Sequence, residues 1–356
     1  MAKSCYVHVP FCDSICSYCD FSRTIASDAM KEKWLNQICK EIKNRRVETL
    51  STLYFGGGTP SSLSVEQIQR LAQSFISFES NYEWTIECNP ESVTEEKIKA
   101  YVQLGINRIS LGVQTFNDSL LTSIGRKHSR KTILQAIECI QENGISNISI
   151  DLIYALPNQS LEDVRLDLDT FLALDLPHLS IYSLQIEENS VFGKQHLQPI
   201  DEDLEADMYD LICDTLKKAG YEHYEISSFC KPNMYSRHNL AYWTDQDFIG
   251  IGCGASGRED GIRYDNDRSL NKYVQQGVCR IEQESDAPFE AIMMGLRTSF
   301  GVDLIQFKER YGYSIEERYA SVLNKYKNEL FIENGCLKCS EFGLHILNTI
   351  LIDFLE

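Results

Sequence analysis

Along the first half of the chain, short apolar runs alternate with longer amphipathic stretches. The runs Cys5–Val9, Thr52–Phe55, Trp84–Glu87, Arg108–Val113, Asn147–Ile153 and His178–Leu184 predict strands. Helical spacing covers Asp28–Arg46, Ser64–Phe78, Thr94–Leu104, Asn117–Ser123 with Arg130–Glu142, and Leu161–Leu174. Start signals agree: Ser64-x-x-Gln67 and Thr94-x-x-Lys97 sit at two helix entries, and Ser160-x-x-Asp163 resembles a capping box. Gly105 and Gly144 stand where helices should stop. Six β–α repeats imply an α/β fold, a parallel sheet with right-handed crossovers. An incomplete (β/α)6 barrel is the economical closure.

Beyond about residue 190 the alternation weakens. Asp201–Ala219 reads as one helix and Tyr221–Phe229 as a strand-like segment. Gly250–Gly257 reads as a tight glycine-rich loop, since its spacing is wrong for a dinucleotide site and no βαβ unit frames it. From about Asp286 to Glu356 the pattern turns helical again, which predicts a small, mainly helical, winged-helix-like accessory domain. The expected division is 1–190 for the core, 191–285 for an extension of it, and 286–356 for the accessory domain.

Composition narrows the class. The 356 residues and 43% hydrophobic content suffice for a large catalytic-type domain and a smaller one. Thirteen cysteines without a signal-peptide pattern argue for a reducing cytoplasm rather than a disulfide framework. The apolar stretch Gly343–Leu355 is too short to span a bilayer and is broken by His345, Asn348 and Asp353, so a soluble protein is expected. Net charge is −18, from 34 basic and 52 acidic residues. No nucleic-acid partner is expected from that balance; Lys40–Arg46, the nearest thing to a basic run, reads as the solvated side of a helix.

The chemistry begins in the segment from Tyr6 to Phe21, which holds Cys12, Cys16 and Cys19. Three thiolates at this spacing can wrap a cubane 4Fe–4S cluster from one loop and leave its fourth iron open. A structural zinc site normally takes four protein ligands, and Asp20 and Phe21 follow where a fourth would stand.

This spacing resembles the radical S-adenosylmethionine superfamily, whose core is a TIM-like (β/α)6 barrel. The phrase Tyr6-x-His8-x-Pro10-Phe11-Cys12 is similar to the branch containing oxygen-independent coproporphyrinogen III oxidase and the HemW-type haem chaperones. The resemblance implies a 4Fe–4S cluster held by Cys12, Cys16 and Cys19, with S-adenosylmethionine on its open iron. It places Tyr6 near that cofactor and Gly57, Gly58 and Thr59, in Phe55-Gly-Gly-Gly-Thr-Pro60, at the methionine ammonium. Glu87, Gln114, Arg126 and Asp151, all at or after strand ends, match family positions that contact the cofactor. Tyr18 matches an aromatic against the adenine, and Gln185 is a weaker match. Chemistry in such folds collects beyond the C-terminal ends of parallel strands, where most of these residues fall.

Three features separate the two members of the branch. The oxidases carry a further cysteine two positions after the third, where this chain has Phe21. They also have an N-terminal arm, whereas here Tyr6 almost opens the sequence. Finally, His238-Asn239-Leu-Ala-Tyr242-Trp243 matches a motif associated with haem in the chaperones. Imidazole is a good axial ligand, and Tyr242 and Trp243 could pack on a macrocycle. The resemblance thus implies a chaperone that binds the cluster, S-adenosylmethionine and haem and delivers haem to apo-haemoproteins such as respiratory enzymes, with room for peripheral membrane contact. The alternative is radical oxidative decarboxylation of coproporphyrinogen III. The pair Cys336 and Cys339 reads as incidental thiols.

Overall fold

The strands of the first half have two chemically different faces. On β1 (Ser4–Val9) Cys5, Val7 and Val9 are buried apolar residues, and Tyr6 and His8 lie between them. The same alternation recurs in β2 (Leu50–Gly57), β3 (Phe78–Cys88), β4 (Arg108–Gln114), β5 (Asn147–Tyr154) and β6 (His178–Ser183). On β4, for example, Ile109, Leu111 and Val113 alternate with Arg108, Ser110 and Gly112. Successive side chains of a strand point to opposite faces, so each strand offers one apolar and one polar set.

The computed structural model describes residues 2–45, 47–75 and 77–355. β1 to β6 pair in chain order, all parallel, as the core of a TIM-like barrel. Their apolar faces pack outward against α1 (Asp28–Arg45), α2 (Val65–Ala72), α3 (Glu95–Leu104), α5 (Arg130–Glu142) and α6 (Leu161–Ala173); α4 (Asp118–Ser123) precedes α5. Trp34, Leu35 and Ile38 of α1 and Ile133, Ile137 and Ile140 of α5 are almost fully buried there. Each such side chain contributes roughly 1.5–3 kcal/mol by leaving water. The polar faces line the barrel interior, where only hydrogen bonds make burial tolerable.

Helix ends follow the local signals. Ser64 and Ser160 each form a full capping box, with Gln67 and Asp163, and Thr94 accepts from the Lys97 amide. α3 stops at Gly105, which takes the left-handed conformation.

The second half extends the sheet at both edges, after α7 (Val191–Lys194) and α8 (Glu202–Lys218). β8 (Ser228–Cys230) pairs antiparallel with β6, and β7 (Glu222–Glu225) completes that edge. After α9 (Arg237–Trp243), β9 (Phe248–Ile251) pairs parallel with β1, followed by antiparallel β10 (Ser256–Glu259), β11 (Ile262–Asn266) and β12 (Arg280–Glu282). Among the described residues the sheet therefore has twelve strands, with β12 and β7 at its edges. After α10 (Leu270–Gln276), the C-terminal part starts with α11 (Ala287–Gly295). It is mainly helical and packs its own apolar cluster, including Ile292, Leu296, Phe307 and Ile350.

Several expectations need correction. The helix expected over Ser64–Phe78 ends at Ala72, because Phe78 already pairs with Leu50 as the start of β3. Gly250–Gly257 is not one loop: Gly250 lies in β9 and Gly257 in β10, with the turn at 252–255. Glycine is required at both, since a Cβ on Gly250 would strike the Ser256 carbonyl and one on Gly257 the Tyr264 ring. The strand-like Tyr221–Phe229 is a hairpin of β7 and β8. The C-terminal part also holds a three-stranded sheet, β13 (Val302–Asp303), β14 (Leu330–Glu333) and β15 (Cys336–Cys339), in the order β13-β15-β14. Arg46, Ile76 and Glu356, which fell within expected helices, lie outside the described residues, as does Met1.

Candidate cofactor site

The three cysteines lie on the loop that leaves β1. Its ends are closed by paired backbone bonds, Cys12 N–H to Thr24 O at 3.0 Å and Thr24 N–H to Pro10 O at 2.7 Å. Its middle is tied down where Ser17 N–H meets Ile124 O and Ser17 O accepts from Phe192 N–H, both at 3.0 Å. Cys12 and Cys19 are half-buried, Cys16 is buried, and none of the 13 cysteines forms a disulfide. Thr59 Oγ1 donates to Cys12 Sγ at 3.5 Å, and Arg126 Nη1 approaches Cys16 Sγ at 3.5 Å. Burial pushes the Cys12 and Cys19 thiols up; the Thr59 hydroxyl offsets this at Cys12, and the Phe21 backbone and Arg23 at Cys19.

Among the described residues no three His, Cys, Asp or Glu side chains converge on a single ion. A cubane takes one thiolate per iron, so its ligands need not share a focus. Three thiols on one pinned loop, two of them facing a hydroxyl and a guanidinium, fit an anionic thiolate-held cluster.

The glycine loop after β2 is fastened to this one. Gly58 N–H reaches Val9 O at 2.8 Å and Thr59 N–H reaches Phe11 O at 2.7 Å. Gly57 has φ +118°, and a Cβ there would lie 2.7 Å from the His8 ring. A Cβ on Gly58 would lie 2.8 Å from Phe11 O and 3.1 Å from Cys12 Sγ, so only glycine lets the two loops touch. His8 shares Nδ1 with the Tyr6 hydroxyl at 3.1 Å and Nε2 with Ser22 O at 2.7 Å. Burial lowers its pKa to about 4, so it is a neutral tie between β1 and the far end of the cysteine loop.

Polar groups at the next strand ends face the same mouth. Glu87 accepts from the Tyr54 hydroxyl at 2.9 Å and from Gly57 N–H at 3.1 Å, while burial raises its pKa to about 7. Asp151 accepts from Ser110 Oγ at 3.0 and 3.2 Å, yet burial still raises it to about 6. Gln114 is buried at φ +70°, where β4 and β5 slip register. Such a backbone in a residue other than glycine is a strained feature that sites often retain. Arg126 donates to Asn89 Oδ1 at 3.1 Å and to Gly112 O at 2.9 Å, while its buried Nε has no acceptor. Burial pulls the Arg126 pKa down, but Tyr18, Cys16 and Glu91 outweigh it and the net shift is up. Tyr18 rests on a small apolar cluster with Leu120, Ile124 and Phe192, and burial raises its phenol.

Tyr6, Tyr18, Gly57, Gly58, Thr59, Glu87, Gln114, Arg126 and Asp151 thus share one end of the barrel with the cysteines. Gln185 lies exposed just past β6. Sequence reasoning missed Asn89, which donates to Thr59 Oγ1 at 3.3 Å and accepts from Arg126. Its position in Glu87-Cys-Asn-Pro-Glu91, between two carboxylates at a strand end, was the available signal. It also missed His128, buried two residues after Arg126 and held by Glu91 at 3.0 Å and Val113 O at 3.2 Å.

The hexapeptide His238–Trp243 is elsewhere. It forms α9, whose N-terminal amides at Arg237 and His238 both donate to Glu83, at 3.1 and 3.0 Å, below the mouth. His238 is fully buried, with Nδ1 on Thr52 Oγ1 at 2.8 Å and Nε2 on the Tyr242 hydroxyl at 2.6 Å. Its ring stacks on Tyr54 at 5.0 Å, and burial lowers its pKa to about 3. Neither nitrogen is left for iron, so axial ligation by His238 would require breaking one of these bonds. Ser236 caps α9 by accepting from Asn239 N–H at 3.5 Å, while Trp243 lines a cleft with residues of the C-terminal part.

Comparison with known proteins agrees with this geometry. The Radical SAM superfamily signature matches residues 6–171 and that of the HemN C-terminal domain matches residues 282–346. The solved coproporphyrinogen III oxidase (HemN) of Escherichia coli superposes with a TM-score of 0.85 over 99% of this chain and 89% of that one, at 21% identity, which shows a common fold. The chain is a radical SAM protein of HemN-like architecture. Within that class it is 37% identical to the heme chaperone HemW of Lactococcus lactis subsp. lactis, over 99% of this chain and 97% of the relative. It is 36% identical to that of Bacillus subtilis, over 94% and 93%. The chain belongs to the HemW family.

Proposed function

We propose that this protein is a haem chaperone: it binds a 4Fe–4S cluster, S-adenosylmethionine and haem, and hands haem to apo-haemoproteins such as respiratory enzymes. The observation that carries the reading is near-full-length similarity to proteins named as heme chaperones, together with the pinned cysteine loop at the barrel mouth. Phe21, two residues after the third cysteine, is 69% exposed and offers neither a sulfur nor an acid group, which favours binding over decarboxylation.

Cys12, Cys16 and Cys19 hold the cluster in this reading. When bound, the cluster and S-adenosylmethionine together supply a low-potential electron and a reducible sulfonium. The chain's own part is placement. Backbone groups of Gly57 and Gly58 and the Thr59 hydroxyl orient the methionine end, and Arg126 offers a charge-assisted donor to its carboxylate. Glu87 and Asp151 would accept ribose hydroxyls, Gln114 and Tyr6 would contact the cofactor, and Tyr18 would hold its adenine. Gln185 borders the mouth. The proposed division is 1–190, 191–285 and 286–356, and the proposed compartment is the cytoplasm, with peripheral membrane contact during delivery. No helix among the described residues is long and apolar enough to cross a membrane.

The test is anaerobic. Cluster-loaded protein should bind haem and transfer it to an apo-acceptor, while incubation with coproporphyrinogen III, reductant and S-adenosylmethionine should release no carbon dioxide above a no-protein control. Sustained substrate-dependent decarboxylation would replace this reading with the oxidase.

A further inference from the structure

Resting on the proposal that Gln114 and Arg126 meet S-adenosylmethionine, we infer that Asp167 of α6 is a positioning residue for that cofactor. It fixes the strained turn at the end of β4 on which both side chains depend.

The turn has no regular ladder to hold it. Between Gly112 and Gln114 the register of β4 against β5 slips, and Gln114 adopts φ +70°. A residue other than glycine stays in such a backbone only where its surroundings over-determine it. Here the restraint comes from α6. Asp167 is buried, and its Oδ1 accepts from Phe116 N–H at 2.6 Å and from Thr115 Oγ1 at 3.1 Å. Thr115 Oγ1 accepts in turn from Asn117 N–H at 3.1 Å. One helical turn before Asp167, Asp163 accepts from Asn117 Nδ2 at 2.8 Å. The three residues that follow Gln114 are therefore all gripped from one helix.

Packing alone would not ask for an acid at this place. Asp167 shares its stripe of α6 with Val164, Leu168 and Phe171, all buried and apolar. Burial raises its pKa to about 7, against the pull of the Phe116 amide and the Thr115 hydroxyl; the Asp163 charge adds to the rise and Arg130 opposes it. A carboxyl held at that cost has its return in the turn it fastens. Two backbone carbonyls of β4 just before Gln114 hold the next side chains: Gly112 O accepts from Arg126 Nη2 at 2.9 Å, and Val113 O meets His128 Nε2 at 3.2 Å. Arg126 reaches on to Asn89 and to Cys16 Sγ. Asn117, on the other side, caps α4, and the Ile124 carbonyl at the end of that helix takes Ser17 N–H of the cysteine loop. Moving the turn would thus move Gln114 and Arg126 together.

Calorimetry of S-adenosylmethionine binding to the full-length, cluster-loaded protein tests the assignment. Asp167→Ala should weaken binding by about 3- to 30-fold with cluster iron unchanged. Both bonds fall on Oδ1, an oxygen that asparagine keeps, so Asp167→Asn should stay within about twofold of wild type. Thr115→Val removes one of the two bonds and should fall between Asp167→Asn and Asp167→Ala. Leu168→Ala, on the same helix, has no polar atom to withdraw from the turn; it should lower stability in a denaturant titration and leave the affinity in place. Unmoved affinity in Asp167→Ala, or an equal loss in Asp167→Asn or Leu168→Ala, would overturn the positioning role while leaving the cofactor site standing. Should Asp167→Ala fail to fold, the same decision falls to Thr115→Val, which must bind more weakly than Asp167→Asn. Cluster-loaded wild-type protein that binds no S-adenosylmethionine would instead overturn the reading on which the inference rests.

Discussion

Arg126 and His238 are both polar side chains held inside one barrel, one toward each end, and they differ in what their surroundings leave undone. At the mouth, Arg126 keeps a buried Nε without an acceptor, Glu87 and Asp151 carry raised pKa values, and Gln114 holds a strained backbone. At the base, both ring nitrogens of His238 are bonded, its ring is stacked on Tyr54, and Glu83 takes the amides that open α9. Buried polar groups are costly unless partnered. A set that satisfies itself is structure; a set that stays short of partners is where an outside ligand makes the greatest difference.

The sharpest way to break that contrast is at the cysteines. Replacing Cys12, Cys16 and Cys19 together by Ala should abolish the reconstituted cluster, taking iron from about four per chain to background. Retention of a full cluster would end the assignment of the mouth. The base should answer in stability instead. His238→Ala removes two hydrogen bonds and leaves a void, and should lower unfolding free energy by about 2–4 kcal/mol in a denaturant titration. Its cluster content should be unchanged; a neutral effect on stability would show that the base is not the self-satisfied structure described.

Arg126→Ala sharpens the comparison from the other side. It should weaken S-adenosylmethionine binding to cluster-loaded protein by about 1.5–3 kcal/mol, read by calorimetry. A further effect is expected on pH dependence. Glu87 rises from 4.5 to about 7 and Asp151 from 3.8 to about 6 on folding, so the folded apo-protein holds more protons through that window. Stability is then fullest below the ordinary carboxyl range and is lost as pH rises toward 7. Glu87→Gln should flatten part of that slope, and a denaturation series showing an identical slope would remove Glu87 from the cause.

The six inner strands were legible because each couples a short apolar run to a helix with recognisable ends, such as the capping boxes at Ser64 and Ser160. β9 and β10 were not, because each is only four residues long and interrupted by a glycine, Gly250 or Gly257, and β9 finds its parallel partner β1 far away in sequence. The C-terminal sheet was hidden by its short strands. At the site, spacing exposed the cysteines and the glycine loop. Nothing local reports that His238 closes on Thr52, nearly two hundred residues earlier, or that Asn89 bridges Thr59 and Arg126. Those facts exist only once the strands are side by side.

The parallel pairing of β1 with β9 has a consequence for how the protein is made. The turn that follows β9 abuts the cysteine loop, for a Cβ on Gly254 would lie 2.7 Å from the Ser22 side chain. On a ribosome adding about 5–20 residues per second, residue 248 emerges roughly 12–50 s after residue 4. Throughout that interval the thiols are already in the cell while one wall of their cradle is still unwritten. If the loop holds the proposed cluster, nascent chains halted before β9 should fail to retain iron that the finished chain keeps.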